Sequence, residues 1–188
     1  DFSSQFNYFP EEERAVLFDS LYSVPTPQIT DTLLTTDRPD ILLILMESYG
    51  SRFIEELGGI PGVSPHFSRL IPEGVFWDNL YSNSFRTDRG TVSALSGWIS
   101  YPTASLMKMP EKLGQIPSLA RSLQKEGYRT EFLYGGDIEI MGMKGYLVGS
   151  GYQHIISDAD FSLADAKESK WGANDAVTAS RVYETIKG

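Results

Sequence analysis

The sequence predicts an α/β fold in which helices cover both faces of a mostly parallel sheet, and three stretches lead to this prediction. Residues 40–48 contain a continuous apolar run, which is typical of a parallel strand buried on both faces. Residues 75–81 are rich in strand-forming side chains and precede small residues that suit a closely packed helix. A helical pattern at 116–127 is followed by a strand pattern at 129–134. Helices that alternate with strands in this way are typical of a parallel sheet.

Composition and charge narrow the class of protein. The 188 residues are 41% hydrophobic, so the chain is long enough to bury a core as one domain or a large part of one. The formal net charge is -9 and no basic run is present, so we expect no nucleic-acid partner. The chain has no cysteine and two histidines, which disfavours a zinc site of the nitrogen and sulfur type. Any metal site would therefore consist of oxygen ligands. Manganese, magnesium and calcium bind to such ligands.

Residues 1–38 are predicted to be a lead-in helix and a linker. Pro10 followed by three glutamates favours a helix start, because proline suits the first turn and acids suit the positive end of the helix dipole. The prolines and threonines of residues 24–36 break the apolar pattern and predict an extended linker. The main domain is therefore expected at residues 39–188.

Glu47 lies at the end of the predicted strand at 40–48. Ligands of open α/β sheets bind beyond the carboxyl ends of the strands, so Glu47 is placed where a metal ligand or an acid/base group is useful. The alternative is a salt-bridged or capping acid at a strand end. The residue alone does not decide between the two.

The stretch around Thr87 combines a hydroxyl with two arginines at a predicted helix start. The free N–H groups and the dipole of a helix N-terminus favour an anion, and Arg86 and Arg89 add guanidinium groups that match a phosphate or sulfate. A hydroxyl in that setting becomes a nucleophile when a metal ion or a base activates it. The alternative is an N-cap threonine with two solvated arginines.

Further elements are predicted along the rest of the chain. Ser64 and Pro65 indicate the start of a short helix at 64–71. Asp137, after two glycines, either orients a polar group at a strand end or caps a helix at 138–147. A short strand is predicted at 152–156, and a final helix after Asp175.

Several motifs together resemble a known family in their order and spacing. They are Ile44-Leu45-Met46-Glu47-Ser48, Ser64-Pro65 with Phe67 and Leu70, Phe76-Trp77-Asp78-Asn79-Leu80-Tyr81, the Thr87 stretch with Tyr101-Pro102 behind it, Tyr134-Gly135-Gly136-Asp137, and Trp171-Gly172 with Asp175. From Pro39 onward the chain resembles the extracytoplasmic domain of lipoteichoic acid synthase-like proteins, which belong to the sulfatase and alkaline phosphatase superfamily. The resemblance implies an incomplete alkaline phosphatase-like sheet, a divalent metal, with manganese preferred over magnesium or calcium, and a threonine that attacks a phosphodiester head group.

The resemblance also implies a role for individual residues. Glu47 and Thr87 match metal ligands, and Thr87 matches the nucleophile. Thr91 is the alternative nucleophile, because a register without gaps places Arg89 where the family has its threonine. Arg86 and Arg89 are assigned to the charge on the phosphoryl oxygens. Asp137 and Lys144 are assigned to substrate binding.

Two departures from the family pattern limit what the resemblance implies. The family has an Asn-Arg pair where this chain has Gly135-Gly136, which puts glycerol-phosphate specificity in question. The family completes its metal site with a downstream Asp-His pair, and this chain has no Asp-His dipeptide. We therefore expect the N-terminal part of a catalytic domain, inactive alone and completed by the remaining C-terminal half, in a bacterial parent protein anchored in the cell membrane with this part outside.

The substrate of the parent protein would be a phospholipid or glycan head group. The alternatives are a sulfuric ester hydrolase and a non-catalytic domain that binds envelope glycans or lipid head groups.

Overall fold

A computed structural model describes residues 7–23, 33–167 and 169–187, and the chain divides into two compact units, residues 1–44 and 45–188. The described part of the second unit contains seven of the α-helices and a pair of strands, and the first unit contains helix α1. The helices are α1 Glu11–Tyr22, α2 Pro65–Leu70, α3 Thr87–Ser96, α4 Pro110–Leu113, α5 Leu119–Lys125, α6 Met143–Gly149, α7 Leu163–Ala166 and α8 Asp175–Lys187. The strands are β1 Glu131–Leu133 and β2 His154–Ile156.

The two strands pair in parallel, with Phe132 opposite Ile155 in the register. Helix α6 lies between them in the chain, because a parallel pair needs a crossover rather than a tight turn. The predicted strands at 129–134 and 152–156 are thus confirmed, with shorter bounds. The carboxyl ends of both strands lie at the same edge of the sheet.

The core joins α3 and α6 through a cluster of buried apolar side chains. Tyr146 and Leu147 of α6 are fully buried, and Val92 and Leu95 of α3 pack in the same cluster. A buried hydrogen bond of 2.7 Å between Tyr146 Oη and Ser96 Oγ satisfies both hydroxyls. Helix α3 is therefore held to the core along the face opposite to solvent.

Two predicted strands are wrong. Residues 40–46 and 75–77 have no strand structure, and side chains in both stretches are exposed, as Ile44 and Trp77 show. A strand exists only where a neighbouring strand takes up its backbone N–H and C=O groups. In the part of the chain that the structure describes, β1 and β2 pair only with each other, so these apolar stretches have no ladder to join.

Several predicted helices are confirmed, with changed ends. Helix α1 starts after Pro10 as expected, whereas residues 24–32 of the predicted linker lie outside the described residues. Helix α5 starts at Leu119, because Ser118 Oγ caps it by accepting from the Arg121 N–H at 3.2 Å. The helix predicted at 138–147 begins only at Met143, because Met141 and Gly142 adopt left-handed backbone angles.

Tyr152 gives the fold a pH-dependent contribution to stability. Its ring packs edge-on against Phe132 with centroids 5.5 Å apart, and burial, with a smaller effect of Tyr146, raises the pKa of Tyr152 from 10.0 to about 12. The contribution is fully present below pH 10, where both states hold the proton, and is lost as the pH rises to 12, because the unfolded chain releases the proton first. We measure the free energy of unfolding of wild type and of Tyr152→Phe by urea titration at each pH. We expect the wild-type value minus the Tyr152→Phe value to fall between pH 10 and pH 12. A difference that stays constant from pH 9 to pH 12 would contradict the prediction.

Candidate active site

Helix α3 presents Thr87 at its first position. Arg86 precedes it with an extended backbone (φ -117°), and Gly97 ends the helix in the left-handed conformation (φ 60°). Val92 and Leu95 anchor the helix in the core, so its N-terminus is fixed while Thr87 stays partly accessible. The predicted placement of Thr87 at a helix N-terminus is confirmed.

The hydroxyl of Thr87 contacts the carboxylate of Glu47. Thr87 Oγ1 donates to Glu47 Oε2 at 2.5 Å, across 40 residues of sequence. Ser48 Oγ donates weakly to the other oxygen, Oε1, at 3.4 Å. Ser48 itself has a left-handed backbone (φ 56°), which is uncommon for a residue with a side chain and often marks a functional site. The two residues selected separately from the sequence thus form one pair.

Arg86 is held beside this pair by Asp88. Arg86 Nε donates to Asp88 Oδ1 at 3.3 Å, and the Asp88 side chain is 3% exposed against 50% for Arg86. The main-chain carbonyl of Asp88 accepts from Ser105 Oγ at 3.1 Å. The bond to Asp88 uses the Nε–H of Arg86, and the half-exposed side chain keeps its outer guanidinium N–H groups for a further acceptor. Sequence reasoning missed Asp88, although an acid in the first turn of a helix is a usable signal.

Arg89 and Thr91 are placed differently from Thr87. Arg89 lies roughly 200° around the helix from Thr87, since each residue turns the helix by about 100°. Its guanidinium donates from Nη1 to the carbonyl of Pro102 at 2.7 Å. Thr91 lies one turn after Thr87 and is 7% exposed. Thr87 is the one of the two candidate threonines whose hydroxyl meets Glu47, while a catalytic role for Arg89 stays a prediction.

Tyr134 directly follows strand β1 and lies within the electrostatic reach of Glu47. Burial and then the negative charge of Glu47 raise the pKa of Tyr134 above 10.0. The Tyr134 hydroxyl therefore keeps its proton to a higher pH than that of a free tyrosine. Tyr134 is part of a motif that resembles the family, but the sequence alone predicted no role for it.

The two glycines after β1, Gly135 and Gly136, contact a later loop of the same chain. Gly135 O accepts from the Ala173 N–H at 2.8 Å, and a Cβ atom on Gly136 would lie 2.5 Å from Trp171 O. Gly172 has φ 114°, a conformation that side chains rarely adopt. The two glycines therefore let the loop at 171–173 pass close to the end of β1.

Asp137 and Lys144 line one cavity of about 420 Å³. Asp137 Oδ1 accepts from the Glu139 N–H at 2.7 Å, as expected for a turn acid. Lys144 Nζ lies 2.5 Å from Glu139 Oε1, and this hydrogen bond raises the pKa of Lys144. The structure brings these two predicted substrate-binding residues together, and their role in binding stays a prediction.

The order of these elements agrees with a known family. The model of the family described as Sulfatase matches residues 39–187. The chain belongs to the sulfatase family. Phosphoglycerol transferase I of Xanthomonas campestris pv. campestris (strain B100) is 27% identical over 161 residues, which are 80% of this chain and 22% of that protein. The chain therefore spans about a fifth of the length of the curated relatives it matches.

A solved structure of the alkaline phosphatase superfamily supports the fold. A protein of the alkaline phosphatase superfamily from Vibrio parahaemolyticus matches with a TM-score of 0.64 and 26% identity, over 74% of this chain and 35% of that one. The lipoteichoic acid synthase of Listeria monocytogenes also matches, with a TM-score of 0.48 and 16% identity, over 55% of this chain and 24% of that one. The predicted α/β fold and the resemblance to this superfamily are confirmed.

The sulfatase and alkaline phosphatase superfamily generally uses divalent metals. The Glu47–Thr87 pair provides ligands of the right type for such an ion, but too few of them. A carboxylate and a hydroxyl are oxygen ligands, which hard divalent cations prefer, but about six are needed. In residues 7–23, 33–167 and 169–187, no three His, Cys, Asp or Glu residues group closely enough to hold a metal. The pair therefore provides at most part of a metal site.

Proposed function

We propose that the complete protein is a metal-dependent phosphotransferase or hydrolase that acts on phosphoglycerol or other phosphodiester head groups, with Thr87 as its nucleophile. The observation that carries this proposal is the 2.5 Å hydrogen bond from Thr87 Oγ1 to Glu47 Oε2 at the N-terminus of α3. Membership of the sulfatase family and the relation to a phosphoglycerol transferase support it.

The geometry suits attack by Thr87 on phosphorus. The Thr87 proton points at Glu47, so the lone pairs of Oγ1 are free to form a bond to the phosphorus atom. As this bond forms, the Thr87 proton passes to Glu47 and the bond from phosphorus to the leaving oxygen breaks, and the departing alkoxide takes up one proton to leave as the alcohol. An acceptor alcohol or water then attacks the phosphothreonine, which returns the hydroxyl to Thr87. A divalent ion held by Glu47 and Thr87 would add charge stabilisation at the phosphoryl oxygens.

Arg86 is suited to bind the non-bridging phosphoryl oxygens. It directly precedes the nucleophile, and Asp88 fixes its Nε, so the outer N–H groups are pre-oriented toward an anion. The N-terminal N–H groups of α3 add a second source of positive potential at the same point. Both groups gain in strength as negative charge develops on the transferred phosphoryl group.

Metal binding is the first property to measure. We expect calorimetric titration of manganese into the complete protein to give binding that Glu47→Gln weakens at least tenfold, because a charged oxygen ligand is replaced by a neutral one. Glu56→Gln is the matched control, since Glu56 is an exposed acid in a short 3-10 helix, Glu55–Leu57, away from Thr87 in the sequence. Equal binding by Glu47→Gln and wild type would remove Glu47 from the site.

Substrate tests separate the proposed reaction from its alternatives. We expect the complete protein to cleave bis(p-nitrophenyl) phosphate, to lose this activity with EDTA and to regain it with manganese. Faster cleavage of p-nitrophenyl sulfate would favour the sulfuric ester hydrolase. Metal binding without turnover of either ester would favour a domain that binds glycans or head groups.

We also propose an extracytoplasmic location at a bacterial cell membrane, where phospholipid or glycan head groups are available. Among the helices that the structure describes, none is long and apolar enough to cross a bilayer. The location is therefore tested on the complete protein, by protease accessibility in intact cells and spheroplasts. Protection from protease in both preparations would contradict it.

A further inference from the structure

The cavity of about 420 Å³ lies where ligands of parallel sheets usually bind. Asp137 follows strand β1 and Asp158 follows strand β2, and both line the cavity. Because β1 and β2 are parallel, their carboxyl ends meet at this edge of the sheet. The Asp158 N–H donates to Gly136 O at 3.2 Å, which joins the two strand ends at the wall of the cavity.

The charges around the cavity leave an excess of negative charge. The Lys144 ammonium is already paired with Glu139 at 2.5 Å. Asp137 accepts one N–H bond from Glu139, and the Asp158 side chain makes no hydrogen bond or ion pair with the described residues. Asp137 lies in the electrostatic field of Lys144, whereas Asp158 lines the cavity without a cation of its own, so a positively charged ligand is favoured over a neutral one.

The shape and the remaining wall favour an organic cation over a metal ion. The acids of the cavity are not grouped closely enough for metal coordination within the described residues. The lining also includes the apolar side chains of Ile138, Val148 and Ile155. A lining that combines carboxylates with aliphatic side chains fits a short amine, whose carbon atoms contact the aliphatic groups while its ammonium meets Asp158.

We propose that this cavity binds a small primary ammonium group, with Asp158 as its main counter-charge. The ammonium is either part of the phosphodiester head group or a free amine. An ammonium in the head group rests on the proposed function, whereas binding of an ammonium by the cavity does not. The cavity would thus select ligands that carry a positive charge, which a glycerol head group lacks.

Binding is tested without any turnover. Ethanolamine and ethylene glycol have the same number of heavy atoms and differ in the ammonium, so each is titrated into the complete protein and followed by saturation-transfer difference NMR. We expect ethanolamine to bind at least tenfold more tightly than ethylene glycol, and Asp158→Asn to weaken ethanolamine binding at least fivefold. Glu56→Gln removes one exposed charge elsewhere and should leave binding unchanged. Equal binding of the two ligands, or no loss in Asp158→Asn, would overturn the proposal.

A second measurement identifies the source of the ammonium. The p-nitrophenyl phosphodiesters of ethanolamine and glycerol are compared as substrates of wild type and Asp158→Asn. If the head group carries the ammonium, KM is lower for the ethanolamine ester than for the glycerol ester in wild type, and this difference in KM disappears in Asp158→Asn and remains in Glu56→Gln. Equal KM values together with ethanolamine binding assign the cavity to a free amine. Ethanolamine binding without turnover of either ester supports the cavity and contradicts the proposed function, so the two failures are distinguishable.

Discussion

Replacing Thr87 with alanine is expected to lower phosphodiester turnover by the complete protein at least about 10³-fold, because the variant lacks the oxygen that forms the bond to phosphorus. The folded structure should remain, since Thr87 is at the solvent end of α3 and its hydroxyl has one partner, Glu47. The measurement is kcat for bis(p-nitrophenyl) phosphate, together with the unfolding midpoint of the same preparation. Turnover at the wild-type rate in a folded Thr87→Ala protein would exclude Thr87 as the nucleophile.

Two control variants make the Thr87 result specific. Thr87→Ser keeps a hydroxyl at the same position and should retain measurable turnover, which alanine cannot. Thr91→Ala tests the alternative nucleophile, and we expect it to keep most of the turnover because Thr91 is buried at 7% exposure. If Thr91→Ala loses turnover and Thr87→Ala does not, the assignment of the nucleophile is reversed.

The parts of the fold that the sequence predicted well are those that local chemistry determines. Helix α3 begins at Thr87 as expected, because an extended Arg86 and a left-handed Gly97 set its two ends. Strands β1 and β2 were found because each has a neighbour close in the chain, across one helix. The apolar run at 40–48 was predicted from burial on both faces, and that burial depends on strands and helices that the described residues do not provide.

The candidate site was predictable in its residue types but not in its contacts. Glu47 and Thr87 were each chosen for position, at a predicted strand end and a helix start, and both lie at the site. That Arg89 turns toward Pro102 while Arg86 is tied to Asp88 could not be read from the sequence, because both arginines flank the same threonine. The role of Gly135 and Gly136 depends on a loop more than thirty residues later in the chain, and no local pattern reports such an approach.

Replacing Gly172 with alanine is expected to cost about 3 kcal/mol or more of the free energy of unfolding. Gly172 has φ 114°, so any side chain there strains the backbone. The added Cβ would also lie 2.7 Å from Gly136 Cα and clash with the carbonyl of Gly135, and both are backbone atoms that cannot rotate away. The measurement is urea unfolding, or thermal unfolding, in which a loss of this size lowers Tm by roughly 6–12 °C for a domain of this length.

Gly145→Ala is the matched control for the same chemical change. Gly145 lies inside α6, and a Cβ atom there would meet nothing within 4 Å. Alanine is favoured over glycine in a helix interior by about 1 kcal/mol, so this variant should be slightly more stable than wild type. Opposite signs for the two substitutions would show that Gly172 is required by the close passage of its loop past Gly135 and Gly136 at the end of β1. If Gly172→Ala is instead as stable as wild type, the loop is not held against the end of β1 and this account of Gly172 is wrong.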